Sequence, residues 1–125
     1  MLVPLTPKQF RENLVHRFAE TYEEDERVAA ELRARLPEAA SLIVAALGER
    51  RVILYGSLAA GLFLAAHSDV DLAVEGMGEA PPDELAGELR RLLGRKVDVV
   101  DPALVAAHIR RDIVERGVVL HEPQR

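Results

Sequence analysis

Two aspartates separated by one residue are the part of this sequence with the clearest chemical potential. Asp69 and Asp71 flank the start of an apolar run, Val70–Val74, whose composition is typical of a β-strand. Because side chains alternate between the faces of a strand, both carboxylates project to the same side. Paired carboxylates repel unless a cation or a shared proton relieves them, and hard oxygen ligands favour Mg²⁺ or Mn²⁺. A lone Asp-x-Asp more often only caps or solvates a strand end, so the metal hypothesis needs a second feature.

That second feature is a Gly-Ser turn upstream of the aspartates. The run Val52–Tyr55 is β-branched and aromatic, and it stops abruptly at Gly56 and Ser57. If a short helix starts at Leu58, its free backbone N–H groups and positive dipole end face an incoming phosphate. Only glycine at position 56 lets the backbone approach a phosphate so closely. The sequence therefore predicts a phosphate site beside a metal site.

A third carboxylate follows on a later strand. The alternation predicted over Lys96–Val100 places Asp98 on the face opposite Val97 and Val99. We therefore expect Asp98 to join the two aspartates described above. Asp101 is better explained as the N-cap of the next helix, with Pro102 in its first turn, than as a fourth catalytic acid.

These motifs together resemble the minimal nucleotidyltransferases of the DNA polymerase beta-like superfamily. The pattern of that family is an apolar strand, Gly-Ser, a short spacer and Asp-apolar-Asp, followed downstream by a third carboxylate. The combined pattern is far more specific than either half, and the resemblance extends roughly over residues 36–121. The matching residues are Gly56-Ser57, Gly61, Ser68-Asp69, Val70-Asp71, Leu72, Val97–Val100 and Gly117–Leu120.

The resemblance implies a role for each of these polar residues. Asp69, Asp71 and Asp98 would be catalytic and would bind Mg²⁺ or Mn²⁺, and Asp98 would also act as general base. ATP would be the substrate, an acceptor hydroxyl would attack its α-phosphate, and pyrophosphate would leave. The residues implied to bind the nucleotide are Gly56, Ser57 and Ser68.

The resemblance also implies a protein partner. Small members of this family pair with a separately encoded helical HEPN protein as toxin and antitoxin, the nucleotidyltransferase being the antitoxin. Some of them transfer AMP onto a tyrosine of the toxin. A chain of 125 residues leaves no length for an acceptor-binding domain, which favours an acceptor on another protein.

Two other functions stay open. Family members commonly carry Arg or Lys just before the second glycine, whereas this sequence has Ala60 before Gly61. The missing cation favours a protein that sequesters its partner by binding alone, while the three intact acids favour an active enzyme. A stand-alone transferase that acts on a small molecule is the remaining possibility.

The order of predicted elements indicates an α/β fold with a small mixed β-sheet flanked by helices. The short connection between the first two strands implies antiparallel pairing, and a longer crossover through a helix at Asp83–Leu93 leads to the third strand. A last helix is predicted to run to about Arg116 and to stop at Gly117. Val118–Leu120 is a candidate for a short extra strand.

Residues 1–36 are predicted to form an N-terminal helical extension, and residues 37–125 to form the minimal nucleotidyltransferase domain. Thr6, Pro7 and Gln9 give a good helix start, and apolar residues recur behind them at helical spacing. Pro37 is expected to interrupt or restart the helix. If the apolar stripe is exposed, it suits a homodimer or a partner contact, whereas the simpler alternative is that the helix packs on the sheet.

Composition narrows the class of protein further. The chain has enough apolar residues, 49 %, for one core, and its net charge of −5 leaves no basic face for nucleic acid. Without cysteine it can form neither a disulfide nor a thiolate metal site, and its four histidines lack metal-ligand spacing. No signal peptide or run of about 20 apolar residues is present, so we expect a cytoplasmic protein.

Overall fold

A computed structural model describes residues 3–124 as a small β-sheet with helices on both faces, which confirms the predicted α/β fold class. None of the helices in this part of the chain combines the length and apolarity needed to cross a membrane. The elements are α1 Pro7–Leu47, β1 Val52–Tyr55, α2 Ser57–Ala60, β2 Val70–Val74, α3 Asp83–Leu93, β3 Val97–Val100, α4 Ala107–Arg116 and β4 Val118–His121.

The strands form a mixed sheet in the order β3-β2-β1-β4. β1 and β2 pair antiparallel with Leu54 opposite Leu72, as the short connection predicts. β2 and β3 pair parallel after the crossover through α3, with Asp71 opposite Asp98. The predicted extra strand, β4, adds antiparallel to the other side of β1. β1 and β2 are therefore the inner strands, and the polar end of β2 has a neighbour on each side.

Side-chain alternation divides the core between the two faces of the sheet. Val52 and Leu54 belong to the larger cluster, which includes the buried leucines of α1 and α3. Ile53 and Tyr55 belong to a smaller cluster with Ile113 of α4. The sheet is thus covered by α1 and α3 on one face and by α4 on the other.

Helix α1 begins as predicted but is not interrupted. The Thr6 hydroxyl accepts from the N–H of Gln9 at 3.2 Å, the Gln9 side chain accepts from the N–H of Thr6 at 3.0 Å, and Gly48 ends the helix. The prediction that Pro37 breaks this helix is wrong. Packing on both sides of the proline outweighs the cost of about 3 kcal/mol for proline in a helix interior. The buried residues beside it are Leu36, Ala39 and Ala40.

The first part of α1 extends beyond the rest of the fold. Buried residues of this helix begin only at Ala29, and residues 7–24, here called the projecting segment, are exposed throughout. At 1.5 Å per residue the projecting segment is about 27 Å long. Ala29, Leu32 and Leu36 of this helix belong to the same core cluster as the strands of the sheet. The division of the chain at residues 36 and 37 stays a prediction.

Asp101 differs from its predicted role. Helix α4 begins at Ala107 with Ala106 at its N-cap, so the prediction that Asp101 caps this helix is wrong. Asp101 is instead buried, and its carboxylate accepts from the N–H groups of Gly78 and Ala103 at 2.9 and 3.0 Å. It therefore ties the loop after β2 to the chain after β3, which is a structural role, as expected for an acid outside the catalytic set.

Candidate active site

Asp71 occupies the centre of the candidate site because β2 is an inner strand. Tyr55 on β1 and Asp98 on β3 stand directly opposite it in the two registers. Adjacent strands lie about 4.8 Å apart, so the two aspartates are neighbouring side chains on one face of the sheet. Since Tyr55 packs in the cluster with Ile113, this is the face covered by α4.

The Asp71 carboxyl is half-buried, and its pKa is raised to about 6. Burial is the main cause because it penalises the charged form. The charges of Asp98 and Asp69 raise this pKa further, whereas Lys96 lowers it. The site therefore concentrates negative charge that Lys96 offsets only in part, and a divalent cation would relieve it.

Asp69 and Asp98 are the more accessible acids. Asp69 directly precedes β2, and its carboxylate lies 3.8 Å from Nζ of Lys96, with both side chains well exposed. Such a pair is screened by solvent and weak, so either group can exchange its partner for a metal ion or a phosphate. Asp98 is exposed between valines that are more buried, as the predicted alternation requires.

The three acids are close enough to influence one another's charge, but they do not form a complete metal-binding site. Asp69 and Asp98 both act on the pKa of Asp71. Within residues 3–124, however, no three His, Cys, Asp or Glu side chains are grouped so as to hold a metal ion. Mg²⁺ in phosphoryl-transfer sites usually takes one or two carboxylates, with water and substrate phosphates as its other ligands. Asp69 and Asp71 therefore fit a Mg²⁺ ion that arrives with a nucleotide.

Gly56 joins β1 to α2 at a φ of 76°, in the region that favours glycine. A Cβ at this position would also collide with the Asp71 carboxylate, so the turn and the acid are built against each other. α2 begins at Ser57, one residue earlier than predicted, and has four residues. Because so short a helix has only a small dipole, a phosphate here would depend on backbone N–H groups and the Ser57 hydroxyl.

The loop that leads from α2 to β2 is held from two sides, and sequence reasoning missed both contacts. Nη1 of Arg95 donates to the carbonyl oxygens of Ala65 and Ser68 at 3.2 and 2.9 Å, and its guanidinium stacks on the ring of Phe63, 4.8 Å from the ring centre. The carboxylate of Asp25 in α1 accepts from the N–H of Ala65 at 2.8 Å. These contacts fix the approach of the chain to Asp69.

Ser68 has a structural hydrogen bond of its own. Its hydroxyl oxygen accepts from the N–H of Leu64 at 2.9 Å, which closes the turn before β2. The hydroxyl proton is not used in that bond and can still be donated to a nucleotide oxygen. The nucleotide-binding role of Ser68 stays a prediction.

Tyr55 and Asp112 are two further members of the site that the sequence did not suggest. Burial, followed by the charge of Asp71, raises the pKa of Tyr55 to about 12, so its hydroxyl stays protonated and can donate. The charge of Asp112 in α4 contributes to the raised pKa of both residues. The position of Tyr55 next to the Gly-Ser turn is a signal that could have found it. No local signal marks Asp112, because tertiary packing alone brings it here.

A sequence profile of the family described as "Polymerase beta, Nucleotidyltransferase" matches residues 49–125. The match spans more than half of the chain and includes the Gly-Ser turn and all three predicted acids. The chain belongs to this nucleotidyltransferase family. Helix α1 ends before the matched region of this nucleotidyltransferase begins. No curated protein sequence matches the chain.

Solved structures with a similar fold include toxin–antitoxin complexes. A crystal structure of a toxin–antitoxin with AMP-PNP matches this nucleotidyltransferase with 26 % identity and a TM-score of 0.56, over 68 % of this chain and 71 % of that chain. The toxin–antitoxin MntA-HepT matches with 22 % identity and a TM-score of 0.54, over 74 % of both chains. A tri-AMPylated Shewanella oneidensis HEPN toxin in complex with an MNT antitoxin matches with 21 % identity and a TM-score of 0.55, again over 74 % of both chains. The last two show similarity of fold only. Together with the family match they confirm the predicted nucleotidyltransferase fold.

Proposed function

We propose that this nucleotidyltransferase transfers AMP from ATP to a hydroxyl group of a HEPN-type toxin and thereby acts as its antitoxin. The observation that carries the proposal is the environment of Asp71, which stands opposite Asp98, presses against Gly56 and has a pKa raised by burial and by neighbouring carboxylates. Structural relatives include a toxin–antitoxin with AMP-PNP and a tri-AMPylated HEPN toxin bound to an MNT antitoxin. These relatives support the choice of nucleotide and partner.

Asp69 and Asp71 are the residues that would hold Mg²⁺ or Mn²⁺, and Asp98, opposite Asp71 in the register of β2 and β3, would contribute to a second ion. When bound, the metal would polarise the triphosphate and stabilise the charge that develops on the leaving pyrophosphate. The raised pKa of Asp71 means that a proton competes with the metal at this carboxylate. Metal and nucleotide binding should therefore strengthen as the pH rises through about 6.

The remaining roles follow from position. Gly56 lets the turn lie directly against the Asp71 carboxylate, and Ser57 offers a hydroxyl donor for a phosphate at the same turn. Asp98 accepts the proton of the acceptor hydroxyl while the acceptor oxygen bonds to the α-phosphorus and the bond to pyrophosphate breaks. Because Asp98 is exposed, a side chain on the surface of another protein can reach it.

Binding without turnover is the second candidate function, and Ala60 is the observation that favours it. Ala60 is exposed at the end of α2, where the resemblance leads us to expect Arg or Lys. Lys96 is a basic side chain of the site, but it pairs with Asp69 at 3.8 Å. Loss of one electrostatic contact to the transition state typically lowers a rate about 10²–10³-fold. Such a loss would spare the surface that binds the partner.

Intact-protein mass spectrometry of a purified HEPN-type partner distinguishes the two functions. After incubation with ATP and Mg²⁺, we expect the partner to gain the mass of one or more AMP groups with the wild type, and none with Asp71→Asn. Glu79→Gln, an exposed change in the loop before α3, is the control and should transfer at the wild-type rate. Neutralisation of the partner without added mass would support binding alone. A protein that neither modifies nor binds the partner would refute the antitoxin role.

A further inference from the structure

The projecting segment carries an apolar stripe of the kind that is buried in the later part of α1. Its large apolar side chains are exposed by 38–73 %. They lie at helical spacing in line with Leu32 and Leu36, which are buried in the core of the same helix. The stripe therefore continues past the end of the domain, and within residues 3–124 no strand or other helix covers this part of it. The residues of the stripe are Phe10, Leu14, Val15, Phe18 and Tyr22.

Charge is distributed unevenly along the same stretch of helix. Between Lys8 and Arg17 the charged residues are three bases and one acid, whereas residues 20–26 hold five acids and no base. A parallel pair of such helices would place bases against bases and acids against acids. An antiparallel pair places each basic end against an acidic end. The segment is thus electrostatically complementary to a reversed copy of itself.

We propose that the projecting segment pairs antiparallel with the projecting segment of a second copy of this chain. A two-fold axis near His16 sets Phe10 opposite Tyr22 and Leu14 opposite Phe18 across the interface. Lys8 of each copy then lies on the same flank of the pair as Glu26 of the other, within about one helical turn of it along the axis. Such an interface is isologous, since the same surface serves on both copies, and it closes at two chains.

The size of this interface predicts its strength. Six aromatic rings and four aliphatic side chains would each remove roughly 100 Å² from water, after allowance for the part already covered. The total of about 1,000 Å² lies at the lower limit for a specific interface. We therefore expect a reversible dimer that dissociates on dilution. Because its end contacts are exposed ion pairs, it should weaken as the salt concentration rises.

A second copy explains this surface better than an unrelated protein does. The basic first half and the acidic second half of the segment attract each other when the partner is the same helix in the reverse direction. The projecting segment also lies outside residues 49–125, the part that matches the nucleotidyltransferase family. Dimerisation through it is therefore independent of the proposed transfer reaction, and each can be tested without the other.

Sedimentation equilibrium of the full chain with paired charge reversals tests both the contact and its direction. One variant carries Lys8→Glu with Arg11→Glu, and the other carries Glu24→Lys with Glu26→Lys, all at positions that flank the stripe. Each variant alone places like charges together, so its dimer dissociation constant should rise at least about tenfold at low salt. An equimolar mixture of the two restores opposite charges at both ends and should return to within about threefold of the wild type. Phe18→Gln, an exposed position, should weaken the dimer without unfolding the domain.

The control reverses charge on the opposite face of the helix. Glu12→Lys with Glu23→Lys has the same net charge change as the second variant, but both residues lie about 160–180° around the helix from Leu14. This control should dimerise like the wild type. A wild type that stays monomeric at the highest concentrations would overturn the proposal, as would variants and control that behave alike. A monomer whose segment changes weaken only HEPN binding would assign the surface to that partner, which also overturns it.

Discussion

Asp71 is kept in surroundings that oppose its charge. A pKa raised from about 4 to about 6 corresponds to roughly 3 kcal/mol, which solvent screening at a half-buried group reduces to about 1–2 kcal/mol. Because the folded state binds this proton more tightly than the unfolded state, stability falls as the pH rises from about 4 to about 6. The cost is then fully present at neutral pH.

Replacing Asp71 by Asn should therefore stabilise the metal-free protein while it abolishes transfer. At about pH 8 the free energy of unfolding should rise by about 1–2 kcal/mol, and the gain should vanish near pH 4. Thermal melts at both pH values, with Glu79→Gln as a neutral control, measure this effect. Added Mg²⁺ with nucleotide should raise the melting temperature of the wild type and of Glu79→Gln but not that of Asp71→Asn. An Asn variant that is less stable at both pH values would show that Asp71 serves the fold rather than a ligand.

After burial, the charge of Asp98 is the largest cause of the raised pKa of Asp71, and in the proposed reaction Asp98 accepts the proton of the acceptor hydroxyl. Asp98→Asn removes the largest charge effect on Asp71, so NMR titration of the Asp71 carboxyl should give a lower pKa. Transfer should be lost while the melting temperature changes little, because the side chain is exposed. Asp101→Asn is the comparison, since it should destabilise the fold through its hydrogen bonds to Gly78 and Ala103. Full transfer by Asp98→Asn together with loss in Asp101→Asn would mean that the acids are wrongly assigned.

Ala60 is the position at which the two candidate functions can be distinguished. The residue is exposed, so Ala60→Arg should be accepted without a clash, and Arg is a good helix former. Its long side chain can reach over Gly61 toward the phosphates, and we expect single-turnover transfer to become about tenfold or more faster. Melts run in parallel separate an effect on rate from one on stability. Equal rates at equal stability would show that the missing cation is irrelevant, and binding alone would lose its main support.

The loop before β2 is the element on which the position of Asp69 depends. Arg95 holds this loop by two carbonyl contacts and a stacked ring. Arg95→Gln should lower transfer about tenfold or more because it loosens the approach to the acid. Hydrogen exchange at the N–H of Ala65, which is bonded to Asp25, should become faster. Arg91→Gln, exposed in the last turn of α3, is the control. Unchanged exchange with lost transfer would instead point to direct contact of Arg95 with the nucleotide.

Elements set by local chemistry are the ones that sequence predicts well here. The strand at Val70–Val74 and the helix at Asp83–Leu93 have the predicted bounds, because alternation, turns and caps are local features. The continuation of α1 through Pro37 was not predictable in the same way, since it depends on packing on both sides of the proline. The late start of α4 likewise follows from Asp101 bonding to a distant loop rather than to its own helix.

The same distinction applies to the site. Periodicity along two strands and one Gly-Ser turn was sufficient to predict that Asp71, Asp98 and Gly56 lie close together. Asp25 and Arg95 were missed because each reaches the loop from another element, 40 and 30 residues away from Ala65. Contacts of that kind depend on how the helices pack on the sheet, and local sequence patterns do not predict that packing.

The molecule as a whole combines a compact candidate site with the long, exposed projecting segment of α1. The hydrogen bond between Asp25 and Ala65 lies where the projecting segment leaves the domain, so the segment starts beside the loop that precedes Asp69. A second copy seated on the segment would therefore lie near one side of each active site. Asp98, from which the acceptor would be reached, is on the α4 face of the sheet, whereas α1 covers the opposite face. Dimerisation and access of an acceptor can thus occur together.

Truncation at two positions tests which part of α1 belongs to the domain. A chain starting at residue 23 keeps Asp25 and every buried residue of the helix, so its melting temperature should stay close to that of the full protein, while the dimer is lost. A chain starting at residue 37, the predicted boundary, lacks Ala29, Leu32 and Leu36. Two buried leucines alone contribute about 1.5–3 kcal/mol each, a large share of the 5–15 kcal/mol that stabilises an ordinary domain. We expect this shorter chain to unfold at much lower temperature or to fail to fold. Equal melting temperatures for both truncations would instead establish residues 37–125 as an independent domain. The buried residues of α1 before residue 37 would then not be needed for its stability.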